Sequence, residues 1–147
     1  MPSSKTVSTC APQTELGTHL FHILGYSQHR AAEAFIWSDK FTVLGHDWRL
    51  SFGPLGTAGD IVVAGLHLMG INMKVRASFE LRLLNQSTGP SLTVHKEASR
   101  VFDTNERSRC ALCVVKRKLF ESTTYLQDDR LTIECIITND SLPPFHL

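Results

Sequence analysis

The stretch from Lys74 to Gly89, KVRASFELRLLNQSTG, constrains the fold more than any other segment. Val75, Ala77, Phe79, Leu81 and Leu83 are apolar, and Arg76, Ser78, Glu80 and Arg82 between them are polar. A period of two marks a strand with one dry face and one wet face, because successive side chains of extended backbone point to opposite sides. The Ser-Thr-Gly after it supplies a turn. A long strand with a wet face belongs in an antiparallel sheet; strands of a parallel sheet are covered on both sides.

The same rhythm recurs along the chain. HLFHILGYS (His19 to Ser27) alternates and breaks at Gly25. KFTVLG and HDWRLSFGPLG predict two strands around Gly45, the second with Trp48, Leu50 and Phe52 on one side. IVVAGLHLMG turns Val62, Ala64, Leu66 and Leu68 inward, and CALCVVK is a strand by its β-branched content. In DDRLTIECIIT, Leu131, Ile133, Cys135 and Ile137 alternate with more polar neighbours. SLTVHKEASRVF has a weaker pattern and predicts two short strands, near Leu92–Val94 and Val101–Phe102. His29–Phe35 and RKLFESTTYL predict single helical turns, the second docking Leu119 and Phe120 on the core. No long helix and no internal repeat is visible. About eight strands separated by turn signals predict an all-β, eight-stranded antiparallel β-sandwich.

A chain of 147 residues fits one domain and can bury a core without metal or disulfide help. Hydrophobic residues make up 42%, charged residues 20%, and the formal charge is +1. That balance argues against a dedicated nucleic-acid binder, which carries a strong basic surplus. No apolar run reaches the length of a membrane span. Residues 1–17 are polar, lack the apolar core of a secretion signal, and predict a disordered leader. The expected location is therefore intracellular, nucleus or cytoplasm. There Cys10, Cys110, Cys113 and Cys135 stay reduced and free. Residues 139–147 contain a Pro-Pro pair that ends regular structure.

Signals for chemistry are sparse. CALC, Cys110 to Cys113, has redox or zinc spacing, yet thiols three apart on a strand point to opposite faces. A structural zinc would also need a second ligand pair. His19 and His22 have helical metal spacing in a segment that alternates like a strand. Asp128-Asp129 fits a turn before a strand. The loop Arg100–Arg109 sets Arg100, Arg107 and Arg109 against Asp103 and Glu106; it reads either as a site for acidic partners or as a charged loop. No nucleophile elbow, phosphate loop or paired-carboxylate motif is present. No cofactor and no metal are expected.

Five pieces in fixed order carry a resemblance: FTVLGHDW (Phe41 to Trp48), VRASFELRL (Val75 to Leu83), RVF (Arg100 to Phe102), KR (Lys116-Arg117) and YLQDDRLTIEC (Tyr125 to Cys135). Over about Thr18 to Thr138 the chain resembles the MATH domain of plant-type MATH-BTB proteins. The tail SLPPFHL is similar to the linker toward a following BTB domain, and the sequence stops there. The resemblance implies a TRAF-like eight-stranded sandwich without catalytic activity. It implies a shallow groove that binds short, extended Ser/Thr-rich peptides, partly by strand addition. In such proteins a BTB domain dimerises and binds a cullin scaffold, so that the MATH domain selects substrates for ubiquitination. Direct cullin binding is expected only where a BTB domain is present.

Carried over position by position, the implied peptide-binding set is Gly65, Phe79, Arg100, Phe102, Arg107, Arg109, Cys110 and Ala111. Periodicity alone leaves Phe79 open between core and groove. The set departs from the family pattern. Gly65 stands where an aromatic is usual, Arg109-Cys110-Ala111 replaces a Trp-Gly-aromatic signature, and Arg100 stands where animal members have tyrosine. The expectation is a wider, flatter, more basic groove suited to acidic or phosphorylated segments. The alternatives are a scaffolding or competitor module without ligase recruitment, or a fold that has lost peptide binding. A thiol or zinc protein built on Cys110 and Cys113 is the remaining one. Without heptads for a coiled coil, a monomer is expected.

Overall fold

The computed structural model describes residues 4–8, 16–55 and 58–139. The expected leader and tail lie mostly outside these residues, as does Cys10. Ten strands form among the described residues: β1 (Leu16–Leu24), β2 (Ile36–Trp37), β3 (Phe41–Val43), β4 (His46–Leu55), β5 (Ala58–Leu68), β6 (Lys74–Leu83), β7 (Leu92–Asp103), β8 (Cys110–Lys116), β9 (Leu126–Gln127) and β10 (Arg130–Asn139). Eight of them have three residues or more; β2 and β9 are two-residue additions. One helix, α1 (Tyr26–Ala32), follows β1.

The strands make two sheets. The first has the order β1-β10-β6-β7, with β9 beside β10; the second has the order β2-β4-β5-β8, with β3 beside β4. All pairings are antiparallel. The alternating apolar residues of β4, β5, β6, β8 and β10 bury between the layers as one core. Trp48 of β4 meets Phe102 of β7 edge-on, with ring centroids 5.1 Å apart, and both are fully buried.

Most of the recurring sequence pieces are structural. Leu44 (φ 58°) and Gly45 (φ 75°) form the left-handed pair of a tight β3–β4 hairpin, and the Trp48 indole donates to the Val43 carbonyl at 3.1 Å. Asp128 and Asp129, at φ 52° and 58°, make the matching turn between β9 and β10. The Asp129 carboxylate then accepts from the amide and hydroxyl of Ser27 and ties down the start of α1. Arg117, largely buried, donates to the Tyr26 hydroxyl at 2.7 Å, which donates to Glu121 at 2.8 Å. The KR piece thus fastens α1 to the turn after β8.

Several expectations need correction. The weakly patterned segment is one continuous strand, β7, not two. Its alternation is broken by register shifts opposite Ala77/Phe79 and Leu81/Arg82, with Ser99 at φ 53°. An extra residue inserted in a ladder reverses the face that later residues present. The first strand starts at Leu16, and the helix starts at Tyr26 instead of His29. After β8 the helical turn is a 3-10 turn, Arg117–Leu119; Phe120 is buried, but Leu119 stays exposed.

Candidate functional site

The two long rims of the sandwich differ. At the β1/β3 rim the His19 and Phe41 rings stack 3.9 Å apart, and Gly17 lies against Val43 so closely that a Cβ would clash at 2.3 Å. At the other rim β7 ends one sheet and β8 ends the other. There the bulge at Ala98–Ser99 lets Glu97 and Arg100 point the same way, toward β8: Ala77 pairs with Arg100 while Phe79 pairs with Glu97. Arg100 donates to Glu97 at 2.8 Å and, through its other terminal nitrogen, to the Cys110 carbonyl of β8 at 2.8 Å. Its guanidinium lies 5.4 Å over the Phe102 ring, and His95 bonds the second Glu97 oxygen at 3.1 Å. Burial alone would raise the Glu97 carboxyl, but the bonds from Arg100 and His95 outweigh it and hold it below the usual range. Arg100 is therefore a strut between the sheets with its charge answered.

Phe79 and Phe102 are 2% and 0% exposed. Their rings pack on each other and, for Phe79, on His95. They support this rim from inside and present no face to a ligand. Ala111 points inward as well and is buried. Phe79 is thus a core side chain in this structure.

The outer face of the second sheet carries the accessible residues. Trp37, Ser51, Gly65 and Leu112 form one row across β2, β4, β5 and β8. Leu112 and Val114 are each 57% exposed, and Trp37, at the far end of the row, is exposed as well. A Cβ on Gly65 would sit 2.7 Å from Leu112 Cδ2, 2.7 Å from Ser51 Oγ and 2.9 Å from His67 Nε2. The space an aromatic would claim is therefore filled: Leu112 leans over it, and Ser51 and His67 join beneath at 2.8 Å.

The next row joins Arg49, His67 and Cys110. Arg49 lies 5.1 Å over the Trp37 ring and donates through Nε to the Ser38 carbonyl at 3.0 Å. His67 packs on Trp37 at 4.6 Å. Arg109, from the 3-10 turn Arg107–Arg109, donates to the Thr104 carbonyl. Trp37, Arg49, His67 and Arg109 border a cleft of about 230 Å³. Burial, then Arg49 and Arg109, pushes the His67 imidazole down to about 4, so it is neutral at pH 7. Arg107 is exposed at the turn.

Thiol chemistry finds little support here. Cys110 faces outward, half-buried, and Cys113 faces the core. Burial pushes the Cys113 thiol up to about 11 and raises Cys135 further, away from the reactive thiolate. Among the described residues no three His, Cys, Asp or Glu side chains converge as metal ligands. No described helix is long and apolar enough to cross a membrane.

Of the sequence-derived set, the structure gathers Arg100, Arg109, Cys110 and Gly65 near the β7/β8 rim. It sends Phe79, Phe102 and Ala111 inward. The set omits His95, Glu97, Trp37, Arg49, His67 and Leu112. The outward partners of Leu66 and Leu68 in the β5 alternation include Gly65 and His67, so that signal was available. The Glu97–Arg100 pairing was not, because the bulge that creates it leaves no mark in the pattern.

The family model for the MATH domain matches residues 18–137. BTB/POZ and MATH domain-containing protein 3 of Arabidopsis thaliana is 31% identical over 145 residues, covering 90% of this chain and 36% of that protein. Protein 4 of the same series is 32% identical over 151 residues, covering 93% and 32%. Protein 5 is 33% identical over 147 residues, covering 91% and 36%. The chain spans about a third of the length of these curated relatives.

Proposed function

The chain belongs to the MATH domain family, a family of protein-interaction modules, and on that premise we propose that it binds short extended segments of partner proteins beside the β7/β8 rim. The segment runs across the outer face of β8 and β5. It takes main-chain hydrogen bonds from the open edge of β7 and lays side chains over Leu112, Val114 and the flat spot above Gly65. The partners are Ser/Thr-rich or acidic stretches, and no bond of the partner is made or broken. The observation that carries this reading is the exposure of Leu112 and Val114 on a sheet-ending strand that abuts a second open edge.

The relatives are named for BTB/POZ as well as MATH domains. In a product that also carries a BTB domain, this domain would choose which proteins reach a cullin-based ubiquitin ligase. By itself it is a monomeric recognition module. Titration calorimetry with Ser/Thr-rich peptides selected by display tests the site. Leu112→Asp is expected to weaken binding about tenfold or more while the thermal transition stays in place. Unchanged affinity in that variant would remove β8 from the site.

A further inference from the structure

Two guanidinium groups in this face have no carboxylate partner. Among the described residues, Arg30, Arg82 and Arg100 are ion-paired, whereas Arg49 and Arg109 are not. Each spends one nitrogen on a backbone carbonyl, Ser38 for Arg49 and Thr104 for Arg109. Both residues border the same open cleft, together with Trp37 and the neutral His67. The cleft abuts Cys110, the residue that Arg100 grips at the β7/β8 rim. Positive charge already paired with a carboxylate needs no ligand; unpaired arginines bordering a concave, aromatic-walled space do complement an anion.

We propose that the Trp37–Arg49–His67–Arg109 cleft receives a phosphorylated serine or threonine side chain of the partner segment. The inference rests on the extended-segment reading above and adds what one of its side chains must be. A phosphate dianion is favoured over a single carboxylate because its oxygens outnumber a carboxylate's and can accept from two guanidinium groups at once. Burial does most to lower the proton affinity of His67, and Arg49 and Arg109 lower it further, in keeping with positive charge at the cleft. The low affinity also means that the imidazole supplies a neutral hydrogen-bonding surface while the arginines supply the charge. Trp37, with Arg49 over its face, is fixed beside the anion and covers the phosphoester carbon.

The chain has two tryptophans, Trp37 at the cleft and Trp48 in the core, so indole NH signals report the site with an internal control. The probes are acetylated and amidated phosphoserine, serine and aspartate, titrated into the full chain and followed by proton–nitrogen NMR. Phosphoserine is expected to shift the Trp37 indole saturably and leave Trp48 still, with serine silent and aspartate much weaker. Arg109→Gln should weaken the response about tenfold, the loss of one charge-assisted pair. Arg49→Gln should do the same, its fold checked by an unmoved Trp48 signal. If Arg49→Gln fails to fold, Arg109→Gln decides alone, because Arg109 sits on a surface turn. An unmoved Trp37, an equal response to aspartate or serine, or an unchanged response in Arg109→Gln would overturn the proposal. Unphosphorylated Ser/Thr-rich peptides separate the two readings. If they bind through Leu112 while phosphoserine leaves Trp37 unmoved, the cleft falls and the segment site stands. If phosphoserine moves Trp37 while no peptide, plain or phosphorylated, senses Leu112→Asp, the cleft stands and the segment site falls.

Discussion

Gly65 shows how one absent side chain shapes this face. The backbone there is extended, so glycine is not required by φ; it is required by what lies above it. Leu112, Ser51 and His67 all come within 3 Å of where a Cβ would be. Leu112 is exposed and can swing away, but Ser51 is buried and held by its bond to His67. Gly65→Ala should therefore destabilise the fold by about 1 kcal/mol, although alanine is the better strand residue. Urea unfolding checks this, and a stabilised variant would contradict the packing described. His67 adds a pH signature. Its folded value of about 4 lies below the ordinary 6.5, so the unfolded chain takes up the proton first as pH falls. The stability it contributes is complete above about pH 6.5 and is lost as pH falls toward 4. His67→Gln should flatten that slope between pH 5 and 7; equal slopes in both proteins would count against a low imidazole pKa. At this scale the sequence was informative about which residues are apolar and silent about what covers what. Gly65 stood out as a missing aromatic, but that Leu112 fills the gap depends on a cross-strand register that no local pattern encodes.

Strand β7 marks where sequence reading stops. β6 and β10 were legible to within a residue or two because their inward positions are uniformly apolar and each is flanked on both sides. β7 lies at an edge and is bulged, and between Leu92 and Phe102 its inward positions are the polar His95, Glu97 and Arg100. A buried-face test for hydrophobic residues therefore fails on it. The same departure makes the element useful: it replaces an apolar seam with a polar strut to β8. Arg100→Met keeps a side chain over Phe102 but removes the bonds to Glu97 and to the Cys110 carbonyl. Its expected cost is about 1 kcal/mol. Hydrogen exchange should rise locally in Arg109–Leu112 while β10 remains protected. Uniformly faster exchange, or none, would mean that Arg100 does not hold the rim. The Glu97 carboxyl, held low by Arg100 and His95, supports the rim fully above the ordinary carboxylate range and loses that support as pH falls through its depressed value.

The whole molecule is an asymmetric sandwich. One rim is shut by stacked His19 and Phe41 and by the close Gly17–Val43 contact. The other is bridged by Arg100 and bordered by exposed apolar and unpaired basic residues. The layered architecture was readable from alternation in five strands. The resemblance pieces FTVLGHDW and YLQDDRLTIEC proved to hold hairpins and a helix start, so they identify the family through its frame and not through its site. That explains why the family assignment is secure while the carried-over contact residues divide between surface and core. The central claim is that this molecule meets its partners at the β7/β8 rim and the adjoining outer face of β5 and β8. Amide chemical-shift mapping with a display-selected Ser/Thr-rich peptide tests it most directly. Shifts confined to β7, β8, the outward positions of β5 and the Trp37 indole are predicted; shifts centred on the β1/β3 rim or on α1 would contradict the account.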